Sequence, residues 1–343
     1  MGRYLIRRLN LFLATTLALF IILFVATRWF PADLSYALSG VALPTTQQQL
    51  QIEQDYALHS NVISQFLAYV TERLSGNFGI SVTSRQSVLN ELAGVLPPSF
   101  ELAFVAGIIA LLCGIPLGML SALSRSKMVQ KTIMAATLTG YSIPVFWLGL
   151  LLSLWFGIEL GLLPISGQIN LLYQIPKVTG FMLFDTLLYN GDYKWNAFAD
   201  VLAHIILPAC TLAVLPFTVV VRITRAAMLN VMNQTYIRAA EARGLPYHTI
   251  VLKHALPNAL IPLLKHLGLM LGPFASYAIV VEVIFSWPGV GAWLVSGIYQ
   301  RDYTVIQAGI FAVALVIIFF SILIEVLYTA ANPMSRKEMY GTN

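Results

Sequence analysis

The chain has 343 residues, of which 58% are hydrophobic and only 10% charged, with a mean hydropathy of +0.78 and a net charge of +5. Soluble domains average roughly 25% charged residues, so this composition excludes an ordinary water-soluble protein and points to lipid. The two cysteines, Cys113 and Cys210, fall in apolar runs without C-x-x-C spacing, which excludes a disulfide framework.

A spanning helix needs about 20 apolar residues. Six stretches qualify: 9–27, 100–123, 133–162, 201–223, 262–284 and 305–329. The first follows MGRYLIRR. Its apolar run is long for a signal peptide and no A-x-A cleavage site follows, so an uncleaved anchor is expected. Residues 28–99 form a polar segment in which Leu50, Tyr56, Ile63, Phe66, Leu67 and Val70 are spaced for short amphipathic helices. GNFGISV reads as a turn into a short extended piece, and the Gln run at 47–49 is the one low-complexity tract. LPPSFEL is expected to open the second span, with Ser99 as N-cap and Glu101 in the first turn, where the helix dipole favours an anion. Pro144 predicts a tilted or broken third span, and Pro208 and Pro216 predict kinks in the fourth. Between them, 163–199 carries Asp185, Asp192, Lys194 and Trp195, read as interfacial anchors.

Orientation follows from the Lys/Arg bias of the loops. With the N-terminus in the cytoplasm, Arg28, Arg73, Arg85, Lys177, Lys194 and Arg301 lie outside, which leaves 14 of the 20 cations inside. The expectation is therefore an all-α integral membrane protein with six transmembrane helices, both termini cytoplasmic, and a small external helical insertion after the first helix. The corresponding divisions are 1–92 (anchor and external segment), 93–330 (transmembrane core with a cytoplasmic loop at 224–262) and 331–343 (cytoplasmic tail).

Enzyme signatures are missing. The sequence contains no G-x-x-x-x-G-K-[ST], no H-E-x-x-H and no G-x-S-x-G. His59, His204, His248, His254 and His266 show no i, i+4 pairing, so no metal site is expected. One stretch is out of character: YIRAAEARGLPYHTIVLKHALPNALIP, 236–262, concentrates Arg238, Arg243 and Lys253 around a single acid, Glu241. Asn233 or Thr235 is expected to cap a helix that Gly244 ends. Ala239, Ala240 and Ala242 would give that helix a small face that a partner can approach closely, whereas a lipid-seeking helix would need a strong apolar face. In the fifth span, Glu282 is a costly intramembrane acid. It reads either as a pathway or gate residue or as a carboxylate that reaches the interface or caps the amides of FSWPGVG. Trp287, Gly289 and Gly291 belong to that tight external turn and, with Glu282, are the candidate pathway or external-gate residues, the turn being read as part of a binding-protein dock or of the gate.

These features resemble the inner-membrane permeases of binding-protein-dependent ABC transporters. That family carries a cytoplasmic signature of E-A-A, three residues, Gly, nine residues, I-x-L-P. Here Arg238-Ala239-Ala240, three residues, Gly244, nine residues and His254-Ala255-Leu256-Pro257 keep the spacing, with Arg238 and His254 as departures. YLIRRL, GNFGIS, SIPVFWLGLLL, VEVIFSWPGVGAWLVSGIYQRDYTVIQAG and ANPMSRK resemble the dipeptide/oligopeptide/nickel branch, and LGLLPISGQINLLYQIPKVTGF most resembles its Sap-type members, linked with antimicrobial peptides and putrescine. The resemblance implies a non-catalytic transport subunit in a bacterial inner membrane. It implies a second homologous permease, two ATPase subunits that hold ATP and magnesium, a periplasmic solute-binding protein, and no cofactor or nucleic acid on this chain. It also implies that Tyr236 to Arg243 is a coupling helix seated on an ATPase, so that Ala240→Trp would block seating. Peptides, or a related small cationic solute, would be the cargo. Polyamine or nickel transport and a non-transporting membrane interaction subunit are the alternatives, and scattered histidines do not favour nickel.

Overall fold

The computed structural model describes residues 2–29, 34–41 and 43–331. The tail motif ANPMSRK, with Arg336 and Lys337, lies beyond Ala331 and so outside them. Among the described residues the chain is helical, and its extended structure is limited to one antiparallel bridge, Ile80 with Ser87, at the predicted GNFGISV turn.

The helices are α1 (Gly2–Trp29), α2 (Leu34–Ser39), α3 (Thr46–Asp55), α4 (Val62–Leu74), α5 (Val88–Leu123), α6 (Lys127–Ser142), α7 (Val145–Leu152), α8 (Met182–Leu188), α9 (Lys194–Met232), α10 (Thr235–Ala242), α11 (Tyr247–Thr249), α12 (Leu256–Ile284), α13 (Val290–Gln300) and α14 (Tyr303–Ala331). Wider π turns follow α7 (Ser153–Glu159) and join α11 to α12 (Ile250–Ala255). Five helices are long and apolar enough to cross a membrane, and a bent pair, Lys127–Ser142 with Val145–Glu159, brings the number to as many as six. The pair turns through 101° where Pro144 was expected to break the span. Ile143 is extended (φ −77°, ψ 125°), the conformation that a following proline favours. Pro208 and Pro216, by contrast, sit inside one continuous α9.

Two expectations about α5 fail together. The helix begins at Val88, so Pro97, Pro98 and Ser99 lie within it, and neither Ser99 nor Glu101 belongs to a first turn. At 36 residues, α5 is about 54 Å long at 1.5 Å per residue, far more than a hydrocarbon core requires. The boundary at 92/93 therefore falls inside a helix.

The chain separates into two compact units. The first comprises 1–100, 166–201 and 286–319. In it, Phe20, Leu23 and Phe24 of α1 pack with Leu38, Ile52, Tyr56 and Tyr69 of α2 to α4. The predicted amphipathic stripe holds in half of its positions: Tyr56 is buried and Phe66 and Val70 pack on this cluster, whereas Leu50, Ile63 and Leu67 are exposed and Gln65, Tyr69 and Arg73 are the buried residues of α4. Polar groups can turn inward there because backbone carbonyls satisfy them. Gln65 Nε2 donates to Leu58 O (3.0 Å) and Ser60 O (2.8 Å). Arg73 donates to Asn77 O (2.7 Å) and Leu38 O (3.1 Å), and its guanidinium lies 5.1 Å from the Tyr69 ring centre and 5.6 Å from that of Phe78. The Gln run has a local role: Gln48 closes a capping box with Thr45. Asp185, expected at the interface, is buried and accepts from Thr179 N (2.7 Å), Thr179 Oγ1 (2.7 Å) and Gly180 N (3.1 Å).

Asp302, in the α13–α14 corner, is the strongest tie in this unit. Its Oδ2 accepts from Ser81 Oγ (2.8 Å) and Val82 N (2.7 Å), and its Oδ1 from Thr304 Oγ1 (2.8 Å) and Val305 N (3.2 Å). Gln307 Nε2 adds a bond to Ala37 O (3.0 Å).

The second unit comprises 101–165, 202–285 and 320–343. Its centre is α9, whose most apolar window is 72% buried, against 11% for the helix ending at Ile284 and 6% for α14. Gly114 and Gly118 of α5 lie against it. A Cβ at Gly114 would sit 2.7 Å from Val220 Cγ1, and one at Gly118 2.7 Å from Thr224 Cβ. Such small-xxx-small spacing lets two helix backbones approach where no hydrophobic drive exists between them. Ser121 and Thr224, both fully buried, lie along the same contact.

Two predictions follow from these contacts. Gly118→Leu forces α5 off α9 and costs about 3 kcal/mol or more, read as a sharp loss of monodisperse protein after detergent extraction while Gly94→Leu, in open space, is tolerated. Burial pushes the Tyr56 and Tyr69 phenols above their ordinary value of 10.0, against the opposing pull of Arg73. A phenol whose folded value is raised contributes stability that is intact below pH 10 and is lost as the pH climbs through the folded value. The melting temperature of purified protein is therefore expected to fall above pH 10, less steeply in Tyr56→Phe.

Candidate functional site

α10 is built to stand on the protein and face away from it. Its N-cap is Gln234, without a side-chain cap bond; Thr235 is its first helical residue, and Asn233 donates to Leu229 O (2.9 Å) instead of capping. Its C-terminus is locked. Gly244 takes φ +73°, Gly244 N donates to Glu241 O (2.9 Å) and Leu245 N to Ala240 O (3.3 Å), the paired bonds of a Schellman motif. Gly244 thus ends the helix as expected, because its left-handed backbone is strained for a residue with a Cβ.

The inner face of α10 is Ile237 and Ala240, both buried. They join Ala227 and Met228 of α9, Ile250, Val251 and Ala255 of the π turn, and Ala259 of α12, with Met119, Ala122 and Leu123 of α5 packed alongside. The Tyr236 hydroxyl accepts from Asn258 Nδ2 (3.1 Å), a second clamp onto α12. Tyr236, Arg238, Ala239, Glu241, Ala242 and Arg243 are exposed, as is every residue from Gly244 to His248. The small outward face therefore consists of Ala239 and Ala242. Ala240 is not part of it, and Ala240→Trp would damage this chain's own packing before it touched a partner. Leu256 packs on the inner cluster while Pro257 is exposed. The missing N–H of Pro257 and the bulk of its ring explain the π turn directly before it, since a wider turn relieves the clash with the preceding carbonyls.

The second candidate group divides between the two units. Glu282 is 1% exposed, in the last turn of α12 within the second unit. Trp287 belongs to the first unit and is fully buried; its Nε1 donates to Pro98 O (2.9 Å), and Val290 N donates to Ser99 Oγ (2.8 Å). The turn is tight, with Gly289 N donating to Trp287 O (2.7 Å) and Ser286 in left-handed backbone (φ 48°). Gly289 caps α13 and Gly291 is buried in its first turn. Ser99 thus serves the turn at 286–290 rather than the start of α5. Among the described residues, no group of three or more His, Cys, Asp or Glu is placed to hold a metal ion.

A helical chain with five or six helices long and apolar enough to cross a bilayer, and an exposed helix between two of them, has the make-up of a polytopic membrane protein. Comparison with known proteins gives the family. The profile described as "Binding-protein-dependent transport system inner membrane component" matches residues 114–337, and the chain belongs to that family. It is 38% identical over 335 residues to the di/tripeptide transport system permease protein DppB of Pseudomonas aeruginosa, covering 98% of this chain and 99% of the relative. It is 36% identical to the dipeptide transport system permease protein DppB of Escherichia coli K12, with the same coverage. The peptide transport system permease protein SapB of Salmonella typhimurium is 40% identical over 268 residues, 78% of this chain and 84% of the relative.

The α10 geometry gives a two-sided prediction. Ile237→Asp buries an unpaired charge and is expected to abolish recovery of folded protein, whereas Ala239→Asp, one helical step from the inner face, is expected to leave yield and melting temperature unchanged.

Proposed function

We propose that this chain is a transmembrane permease subunit of an ABC importer for short peptides. It has six spans, the bent α6–α7 pair being the third, with both termini in the cytoplasm and 28–87 as an external insertion. ATP and magnesium act on two separate ATPase subunits. A second homologous permease completes the pathway, and a solute-binding protein delivers cargo. The names of the relatives that match almost end to end support the peptide reading. One relative, 40% identical over 77% of this chain, is named a putrescine export system permease protein, which keeps polyamines as the second reading.

The observation that carries the coupling role is the division of α10 into a buried face and an exposed one. The exposed Arg238, Ala239, Ala242 and Arg243 seat on an ATPase. The buried Ile237 and Ala240 bind α10 to the bases of α9 and α12, so a displacement of α10 is delivered to α12. The Schellman lock at Gly244 and the π turn before Pro257 keep the connection short. Work done by ATP-driven closure of the ATPases thus enters as a rigid shift and changes which side of the membrane the pathway faces. Glu282, in the last turn of α12, is read as a pathway residue, and the Trp287–Gly291 turn, by itself, as part of the external gate.

Ala239→Trp is the direct test. Membrane insertion should be unaffected, while co-purification of the ATPases and peptide uptake by proteoliposomes containing all subunits are lost. Normal uptake by that variant would refute the coupling role. Topology is checked in a background lacking Cys113 and Cys210. A cysteine at Ala239 should resist a membrane-impermeant thiol reagent in intact cells, and one at Ser60 should react; labelling at 239 reverses the orientation.

A further inference from the structure

The first unit contains a cleft of about 210 Å³ that the coupling mechanism does not use. Its wall includes Thr83, Ser84, Glu91, Trp293, Ser296 and Gln300. Glu91 is the only charged residue of the lining. Its Oε2 accepts from Trp293 Nε1 (2.9 Å), which fixes carboxylate and indole against each other. No cation among the described residues lies within ion-pair distance of Glu91. Arg85 and Arg301, which follow the lining residues Ser84 and Gln300, are exposed and do not line the cleft.

Several donors of this wall are engaged. Trp293 N–H goes to Glu91, Gln300 Nε2 to Ser296 Oγ (3.1 Å), Ser84 N to Ser81 Oγ (3.2 Å), and the Ser81 hydroxyl to Asp302 (2.8 Å). The acceptors that face a ligand are the second oxygen of Glu91 and the Gln300 carbonyl oxygen; the Thr83, Ser84 and Ser296 hydroxyls accept or donate as a ligand requires, so the preference for a cation comes from the carboxylate. Gly297 and Gln300 belong to the last turn of α13, whose end carries the negative pole of the helix and favours cations. The indole adds a face that attracts ammonium groups. A volume below the roughly 300–1,000 Å³ of drug-sized sites suits one end of a small flexible molecule.

We infer that the Glu91–Trp293 cleft is a binding site for a primary ammonium group on a small ligand, and, resting on the peptide reading above, that it receives the N-terminal ammonium of the cargo on the external face. The lining includes no residue of α10 and not Glu282, and the ligand is read by its charge rather than by side-chain shape.

The experiment titrates the full-length chain in lipid nanodiscs with butylammonium, dialanine and N-acetyl-dialanine by calorimetry. Butylammonium and dialanine are expected to bind and N-acetyl-dialanine is not. Glu91→Gln, which keeps an oxygen for Trp293, should retain the wild-type melting temperature and weaken both amines at least tenfold. Equal binding of the acetylated peptide, or unchanged butylammonium binding in Glu91→Gln, overturns the site. Uptake of dialanine by the complete transporter separates the two readings. Loss of butylammonium binding in Glu91→Gln without wild-type peptide uptake leaves the site standing and removes peptides as its cargo. Wild-type uptake with unchanged amine binding in Glu91→Gln does the reverse.

Discussion

Close approach to α9 is the constraint on which the second unit depends. Four glycines on three helices meet it in succession: Gly114 and Gly118 of α5 against Val220 and Thr224, Gly140 of α6 against Thr218, and Gly149 of α7 against Thr211. In lipid, apolar side chains gain little by leaving hydrocarbon for a helix interface, so contact must come from fit. β-branched residues on α9 fill the notches left by glycine, and their few rotamers make the fit cheap in entropy. The 101° break at Pro144 belongs to the same scheme. It lets α6 and α7 both reach α9, through Gly140 and Gly149, although a straight helix would present only one of them on that line.

The base of α9 then becomes a platform. Ala227 and Met228 receive Ile237 and Ala240, and the π turn brings Ile250, Val251 and Ala255 to the same cluster. The exposed helix is therefore fastened to the most buried helix of the protein by side chains that carry no charge. Its charges are left for the outside. Membership of the binding-protein-dependent permease family is what the coupling role proposed above for this arrangement rests on.

The spans were legible because hydropathy over about 20 residues is a coarse, additive signal. The break at Pro144, the Gly244 stop and the position of α10 were legible because proline and glycine act locally. The start of α5 was not. LPPSFEL looks like a helix entrance, yet Pro97 and Pro98 are carried inside a helix whose neighbours use the disturbed backbone, Trp287 donating to Pro98 O and Val290 to Ser99 Oγ. The partners are about 190 residues away, beyond any local rule. Part of the inner face of α4 was missed for a related reason: Phe66 and Val70 pack as expected, but Arg73 and Gln65 are polar by composition and buried by virtue of carbonyls outside their own helix. Ala240 was assigned outward because three alanines look alike in sequence, and only the helical phase relative to Ile237 separates them. The Glu91–Trp293 cleft joins side chains roughly 200 positions apart and left no sequence signal.

From Arg238 to His248 the chain commits one side chain, Ala240, to its own interior. The remaining positions are exposed, and of these Gly244 sets the turn through its left-handed backbone. On the coupling role proposed above, partner choice can drift while the membrane architecture stays fixed, a modularity carried by a strip of about ten residues.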